Sequence, residues 1–293
     1  MSDTIFRTTG TVTTLLGIYN QFHTAVGLQY TLYPQTTLDA KYGLHENAIN
    51  SPGSLPMLRY AGIGVRGYQN TDNQQGAQAY MPAATNMDLY TPIPFRVRPI
   101  DNDLTMAERV NYRFREVREI GGQEYALYWL KLIEFNPKTV NFIRKDAEDI
   151  ESPFTLDPSY LSPEPPDMDV GGTAETNQNR VIVRATGHVI VTGAEIAEVS
   201  TYYRDKNGNS YGTRISEYGF YTGCEYWVDE TGKLIGDCLT TDKPAIYEGR
   251  EGIKESVYVQ LAKHQCTLGD DLSEEHSSVN VEVNFEASNF LAI

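Results

Sequence analysis

Residues 112–132 read YRFREVREIGGQEYALYWLKL, and this stretch decides the fold class. Tyr112, Phe114 and Glu116 alternate with Arg113, Arg115 and Val117, the period of two that gives a strand two distinct faces. Gly121-Gly122 follows, and then an aromatic-rich run from Tyr125 to Ile133. Two such runs around paired glycines predict a β-hairpin, because glycine reaches the positive φ angles of a primed turn. A two-residue turn sets Tyr112 opposite Lys131 and Phe114 opposite Trp129, where an aromatic pair contributes roughly 0.2–1 kcal/mol. Just upstream, Thr105 with Glu108 three residues on predicts a capping box for a short helical turn.

Outward from the hairpin, the C-terminal half reads as strand after strand. Arg180–Ala185 and His188–Thr192 flank Thr186-Gly187, and Thr201–Arg204 and Thr213–Tyr221 flank a turn at Asp205–Asn209. Glu225–Val228 and Lys233–Ile235 flank Asp229–Gly232, and Val257–Ala262 and Val279–Phe285 complete the set. Short β-branched and aromatic runs between Gly, Asn and Asp turns predict a mainly β chain. Its lobes are expected to be β-sandwich or barrel-like, with few short helices and long extended arms.

The clearest break is 153–172, with Pro153, Pro158, Pro163, Pro165 and Pro166 ahead of Gly171-Gly172. Proline blocks helix and sheet interiors, so this segment is expected to be a linker. It divides an N-terminal arm and β lobe (1–152, with the hairpin at 110–135) from a C-terminal β-sandwich-like domain (173–293). Residues 1–56 and 68–94 are Thr-, Gly-, Asn- and Pro-punctuated without helical period. They are expected to be ordered by neighbouring subunits and, with the connector, to carry intermolecular contacts.

Composition narrows the function. Hydrophobic residues at 40% and charged residues at 22% describe a folded soluble chain. The 20 tyrosines suit half-buried sheet faces and interfaces, where the ring packs and the hydroxyl stays wet. A net charge of -15 repels phosphate backbones and argues against direct, sequence-specific nucleic-acid binding. Arg109, Arg113, Arg115 and Arg118 are interleaved with Glu108, Glu116 and Glu119, a mixed-charge strand face rather than a polyanion site. The start, MSDTIFRTTGTVTTLLGIYN, lacks the basic and apolar regions of a signal peptide, and no window is apolar enough to cross a bilayer. Cys224, Cys238 and Cys266 cannot all pair within one chain, so reduced thiols and synthesis in a host cytoplasm are expected.

The chemical motifs are weak. Gly62-Ile63-Gly64-Val65-Arg66-Gly67 matches GxGxxG, but Tyr68–Asn73 is a poor helix, so the motif reads as a loop rather than a dinucleotide site. Asp205-x-Asn207-x-Asn209 imitates a calcium loop, yet Ser210 and Ser216 stand where glycine and glutamate belong, and Glu217 comes one residue late. Among His23, His45, His188, His264 and His276 there is no zinc-hydrolase spacing. His264 and Cys266 share a strand face and would offer two metal ligands, but no second pair is evident. The acidic run Asp270–Glu275 before His276 reads as a solvated loop. There is no GxSxG. No catalytic, cofactor-binding or metal-binding residues are therefore expected.

Arg214-Ile-Ser-Glu-Tyr-Gly-Phe-Tyr221, followed by Asp229-Glu-Thr-Gly-Lys-Leu-Ile-Gly236, resembles a pattern in phage tail-collar fibre and baseplate-attachment domains. There a strand I-[ST]-E-[IYL]-G-[LF]-Y precedes a D-x-x-G-x-L-I hairpin. In this chain Thr222–Val228 lengthen the connection. Residues 109–132 also resemble uncharacterised phage virion proteins. The resemblance implies a non-enzymatic structural component of a tailed-phage virion (tail, neck, collar or baseplate) that contacts copies of itself and other virion proteins, away from membranes. A receptor- or glycan-binding fibre module, or a glycan-cleaving enzyme, are the competing classes.

Overall fold

The computed structural model describes residues 10–13, 57–70, 77–135, 141–155, 180–207, 214–228, 234–237, 253–271 and 278–290. The protein is mostly β, as expected, and its sheets are antiparallel. The strands in chain order begin with β1 (Gly10–Thr13), β2 (Met57–Gly64), β3 (Tyr68–Asn70), β4 (Ala77–Ala79), β5 (Pro92–Ile93) and β6 (Arg96–Pro99). Next come β7 (Tyr112–Ile120), β8 (Gln123–Leu132), β9 (Glu134–Phe135), β10 (Asn141–Lys145) and β11 (Glu151–Pro153). The series ends with β12 (Arg180–Thr192), β13 (Arg214–Val228), β14 (Leu234–Asp237), β15 (Ile253–Asp271) and β16 (Ser278–Phe290). Among the described residues two α-helices join them, α1 (Met106–Arg109) and α2 (Gly193–Asn207).

The hairpin forms as the sequence dictates. Ile120 pairs with Gln123 across Gly121 and Gly122, whose φ angles are +62° and +84°, and Tyr112 pairs with Lys131. Phe114 departs from the regular ladder: its φ is +61°, and the N–H groups of Phe114 and Arg115 turn to the Glu255 carboxylate. The left-handed region costs an L-residue roughly 1–2 kcal/mol, and two hydrogen bonds to a charged acceptor offset that. Thr105 and Glu108 form the expected capping box at the start of α1.

The chain falls into two units, one of Met1–Leu132 with Ile190–Val279 and one of Ile133–Val189 with Asn280–Ile293. These units do not follow the expected division at 153–172: sequence-distant parts of the chain share one sheet. In the first unit β2 lies between β13 and β8, in the order β1-β15-β13-β2-β8-β6, with β14, β5 and β7 paired to β13, β2 and β8. Proline punctuation marks where a chain leaves a sheet, not where it returns. In the second unit the order is β11-β10-β12-β16, with β9 on β12. Its Arg184 guanidinium bridges the carboxylates of Glu151 and Glu286. Residues 156–172 of the linker segment lie outside the described residues, as do 173–179 and residues 14–56 of the N-terminal arm.

The large sheet bends back on itself. Tyr60, Phe114, Leu127, Trp129, Leu130, Tyr221, Val259 and Leu261 pack as one core, although they come from β2, β7, β8, β13 and β15. Glu255 of β15 bonds the backbone of β7, a strand that is not its neighbour in the ladder. Burying these large side chains contributes roughly 1.5–3 kcal/mol each.

Three local readings fail for tertiary reasons. Thr186-Gly187 is no turn; β12 runs straight through it, and Gly187 is bare because a Cβ there would lie 2.6 Å from Ile133 Cγ2. Thr201–Arg204 is not a strand but part of α2, and Asp205 and Asn207 close that helix rather than make a turn. Gly62–Gly67 is not simply a loop: Gly62 and Gly64 belong to β2. All three glycines make room for β13. A Cβ would meet the Tyr221 ring at 2.9 Å from Gly62, the Glu217 carboxylate at 2.6 Å from Gly64, and the Ser216 carbonyl oxygen at 1.9 Å from Gly67. Backbone cannot step aside as a side-chain tip can. Gly67→Ala is therefore expected to cost about 3 kcal/mol, the upper part of the overpacking range, read from the urea midpoint. A change under about 0.5 kcal/mol would refute that close approach.

Candidate functional site

The register of the large sheet assembles one buried polar cluster. Glu217 of β13 pairs with Gly64 of β2 on one side and Cys266 of β15 on the other, while His264 pairs with Gly219. Successive side chains alternate faces, so His264 and Cys266, two apart, sit on one face. Glycine at 64 leaves that face open for the Glu217 carboxylate, and glycine at 219 makes room for the Tyr221 ring. Glu217, His264 and Cys266 are each fully buried.

Glu217 is surrounded by donors. Its Oε1 accepts from Tyr90 N at 2.8 Å, and its Oε2 accepts from Arg66 N at 3.0 Å and Thr91 N at 3.1 Å. His264 Nε2 lies 3.3 Å from Oε1. Burial by itself would raise the carboxyl pKa. The hydrogen bonds from His264 and from the backbone N–H groups of Arg66, Tyr90 and Thr91 outweigh it and hold the group below its ordinary value, so it is ionised. The neighbouring Ser216 hydroxyl accepts from Gly67 N at 2.9 Å and fixes the same turn.

His264 is held at both nitrogens. Asn86 Nδ2 lies 3.1 Å from Nδ1, and Cys266 Sγ lies 3.6 Å from Nε2. With the amide donating to Nδ1, the ring carries its hydrogen on Nε2 and donates toward Glu217. Burial, with the charge of Glu217 adding to it, pushes the Cys266 thiol up to about 12. It is an un-ionised thiol, not a nucleophile. The Tyr90 ring lies 5.1 Å from that of His264.

These contacts order Tyr80–Thr91, a segment expected to rely on neighbouring subunits. The chain's own groups do it: Glu217 grips its C-terminal end, His264 its Asn86, and Tyr80 N donates to Gly67 O at 2.8 Å. The segment presents Met81, Met87 and Tyr90 outward.

Elsewhere in this unit the carboxylates also act as ties. Glu195, fully buried, accepts from Lys131 Nζ at 2.8 and 3.0 Å and from the Tyr112 hydroxyl at 2.7 Å. Glu225 joins Arg113 and Arg59. Asp103 takes Arg115 and the Tyr128 hydroxyl, and Glu116 takes Arg118 and Trp129 Nε1. Arg109 lies over the Tyr128 ring. The arginine-rich segment is thus committed internally.

Of the sequence candidates, His264 and Cys266 come together; His188 lies on β12 in the other unit, and His23, His45, His276 and Cys238 lie outside the described residues. The calcium-like segment is split between α2 and undescribed residues, and Asp270 and Asp271 end β15 instead of starting a loop. Reasoning from spacing missed Glu217. Its signal is a carboxylate in the apolar run Ile215–Tyr221, where burial demands donors. Glu195 has a signal too, since Thr192-x-x-Glu195 is a capping-box spacing. Among the described residues, the groups of metal-binding type that converge are Glu217, His264 and Cys266.

Fold and site together define a mostly β protein whose buried ionisable groups cross-link distant segments. By sequence, residues 1–235 match the profile of a family of unknown function, DUF7208, and the chain belongs to that family. No curated protein and no solved structure matches it. Among the described residues no helix is long and apolar enough to cross a membrane.

Proposed function

We propose that the protein is a non-enzymatic structural component of a tailed-bacteriophage virion, in the tail, neck, collar or baseplate, assembling with copies of itself and with other virion proteins. The observation that carries this reading is the segment Tyr80–Thr91. It exposes Met81, Met87 and Tyr90 at 77%, 50% and 42% while Glu217 and His264 pin it from within. A segment already ordered has little conformational entropy left to lose on binding. Methionine adapts to irregular surfaces, and tyrosine offers an apolar ring with a wet hydroxyl.

Two further features support assembly. β1, joined to β2 through residues 14–56, adds as a strand on β15, pairing Gly10 with Cys266 and Thr13 with Lys263. Strand addition by an arm is a general way to link subunits. The resemblance of residues 214–236 to tail-collar and baseplate domains supplies the class. Synthesis in the host cytoplasm and incorporation into the virion follow from it.

The test is assembly of the full chain carrying Met81→Asp and Met87→Asp. Wild-type chain in the particle is expected at a native mass many times 32.9 kDa. The double variant is expected to keep its circular dichroism and to be left out of the particle. Normal incorporation of the variant removes the contact surface. A wild-type chain that works alone and turns over a glycan removes the structural reading.

A further inference from the structure

We propose that Glu217, His264 and Cys266 bind one Zn2+ ion as a structural centre, with the carboxylate Oε1, imidazole Nε2 and thiolate Sγ as ligands. This inference rests on the cluster alone and is independent of the assembly reading. The ligand atoms lie within 4.8 Å of one another, and all three residues are buried. Zn2+ takes this donor set at about 2.0–2.1 Å for oxygen and nitrogen and about 2.3 Å for sulfur, in tetrahedral geometry. Those bond lengths place adjacent nitrogen and oxygen ligands about 3.3 Å apart, and adjacent nitrogen and sulfur ligands about 3.6 Å apart. The cluster has 3.3 Å between His264 Nε2 and Glu217 Oε1, and 3.6 Å between Nε2 and Cys266 Sγ.

The arrangement differs from a nucleophile relay. In a relay the thiol and the orienting acid occupy opposite ring nitrogens. Here both face Nε2, which has one hydrogen to give. A single ion satisfies the carboxylate, the imidazole and the sulfur at once. The other nitrogen, Nδ1, meets Asn86, in the place where a zinc-bound imidazole is oriented by a second partner. With the ion on Nε2, Nδ1 carries the hydrogen and the Asn86 amide turns its oxygen toward it. Amide orientation follows the hydrogen-bond network, not the side-chain shape.

Binding changes protonation in a defined way. The thiol proton leaves to solvent, and the imidazole exchanges its Nε2 hydrogen for one on Nδ1, so each ion releases one proton net. Burial makes the role structural: the ion clamps β13 to β15 and, through Asn86 and Tyr90, steadies Tyr80–Thr91. Among the described residues no fourth ligand joins these three.

The full chain is refolded in a chelator and titrated with Zn2+, or with Co2+ as a spectroscopic probe. One ion per chain is expected, with a thiolate-to-cobalt charge-transfer band in the near ultraviolet. Cys266→Ser removes that band, and Asn86→Ala weakens Zn2+ binding roughly 10–100-fold with the fold retained. A folded wild-type chain that holds no ion by native mass spectrometry overturns the proposal, as does Co2+ binding without the charge-transfer band. If Cys266→Ser does not fold, the wild-type band and the Asn86→Ala titration decide.

Discussion

Glu217→Ala is expected to lower the unfolding free energy by about 3–5 kcal/mol, because three buried backbone donors and the His264 ring lose their acceptor at once. The carboxylate accepts from the N–H groups of Arg66, Tyr90 and Thr91 and faces His264 Nε2. Alanine leaves those donors buried without an acceptor, and each orphaned group costs roughly 1–3 kcal/mol less whatever relaxation recovers. Glu217→Gln keeps the shape and part of the acceptor capacity, so its loss should be smaller. Urea midpoints of the three proteins, measured in chelator to hold metal out of the comparison, give the ranking. Equal stability of Glu217→Ala and wild type would show that the cluster holds nothing together.

The same group sets a pH dependence. Its folded pKa lies below the ordinary carboxyl value of 4.5, so it favours the folded state where the carboxylate is ionised in both states. That stability is fully present above the ordinary value and is lost as pH falls through the lower, folded-state pKa. Wild-type stability should therefore fall in acid below about pH 4.5 more steeply than that of Glu217→Gln. Parallel curves would place the acid transition on other carboxylates.

Glu195→Ala is the second large loss, again about 3–5 kcal/mol, because it strands the Lys131 ammonium inside the protein. Lys131 would keep the Ile190 carbonyl, 2.6 Å away, and its place beside the Phe95 and Tyr112 rings, but no anion. The Tyr112 hydroxyl loses its acceptor, and Thr192 loses the carboxylate that closes the start of α2. Burial, with Glu195 adding to it, already pushes the Tyr112 pKa well above its ordinary value, so the hydroxyl is a donor throughout. Replacing both partners, Lys131→Met with Glu195→Leu, should restore much of the stability, since no unpaired charge is then buried. A double-mutant cycle measures this directly. Additive losses in the cycle would mean that Lys131 and Glu195 do not act as a pair.

The distribution of these ties explains what could be read in advance. Thr105–Glu108 and the Gly121-Gly122 turn are made by neighbours in sequence, and both were legible. Thr192–Glu195 has the same legibility, but the helix behind it, Gly193–Asn207, carries Val199, Thr201, Tyr202 and Tyr203, residues that also favour strands. The bare positions Gly62, Gly64 and Gly67 read as a loop because spacing records only that side chains are missing. It does not record that Tyr221, Glu217 and Ser216 need the room. His264 and Cys266 were visible as a pair on one strand face. Glu217, lying 47 positions before His264, joins them only because β13 pairs with β15.

By itself, then, the sequence determined the β class, the hairpin and its register, and the acidic character of the chain. Each depends on side-chain period, turn chemistry or charge, which act over a few residues or simply sum. The tertiary structure alone decided that β2 lies between β13 and β8, that the two halves of the chain share one sheet, and that Glu217 meets His264 and Cys266. A strand's backbone can bond to any other strand. Its actual partner is chosen by the burial of whole faces and by the donors that buried carboxylates require, and both are properties of the assembled core.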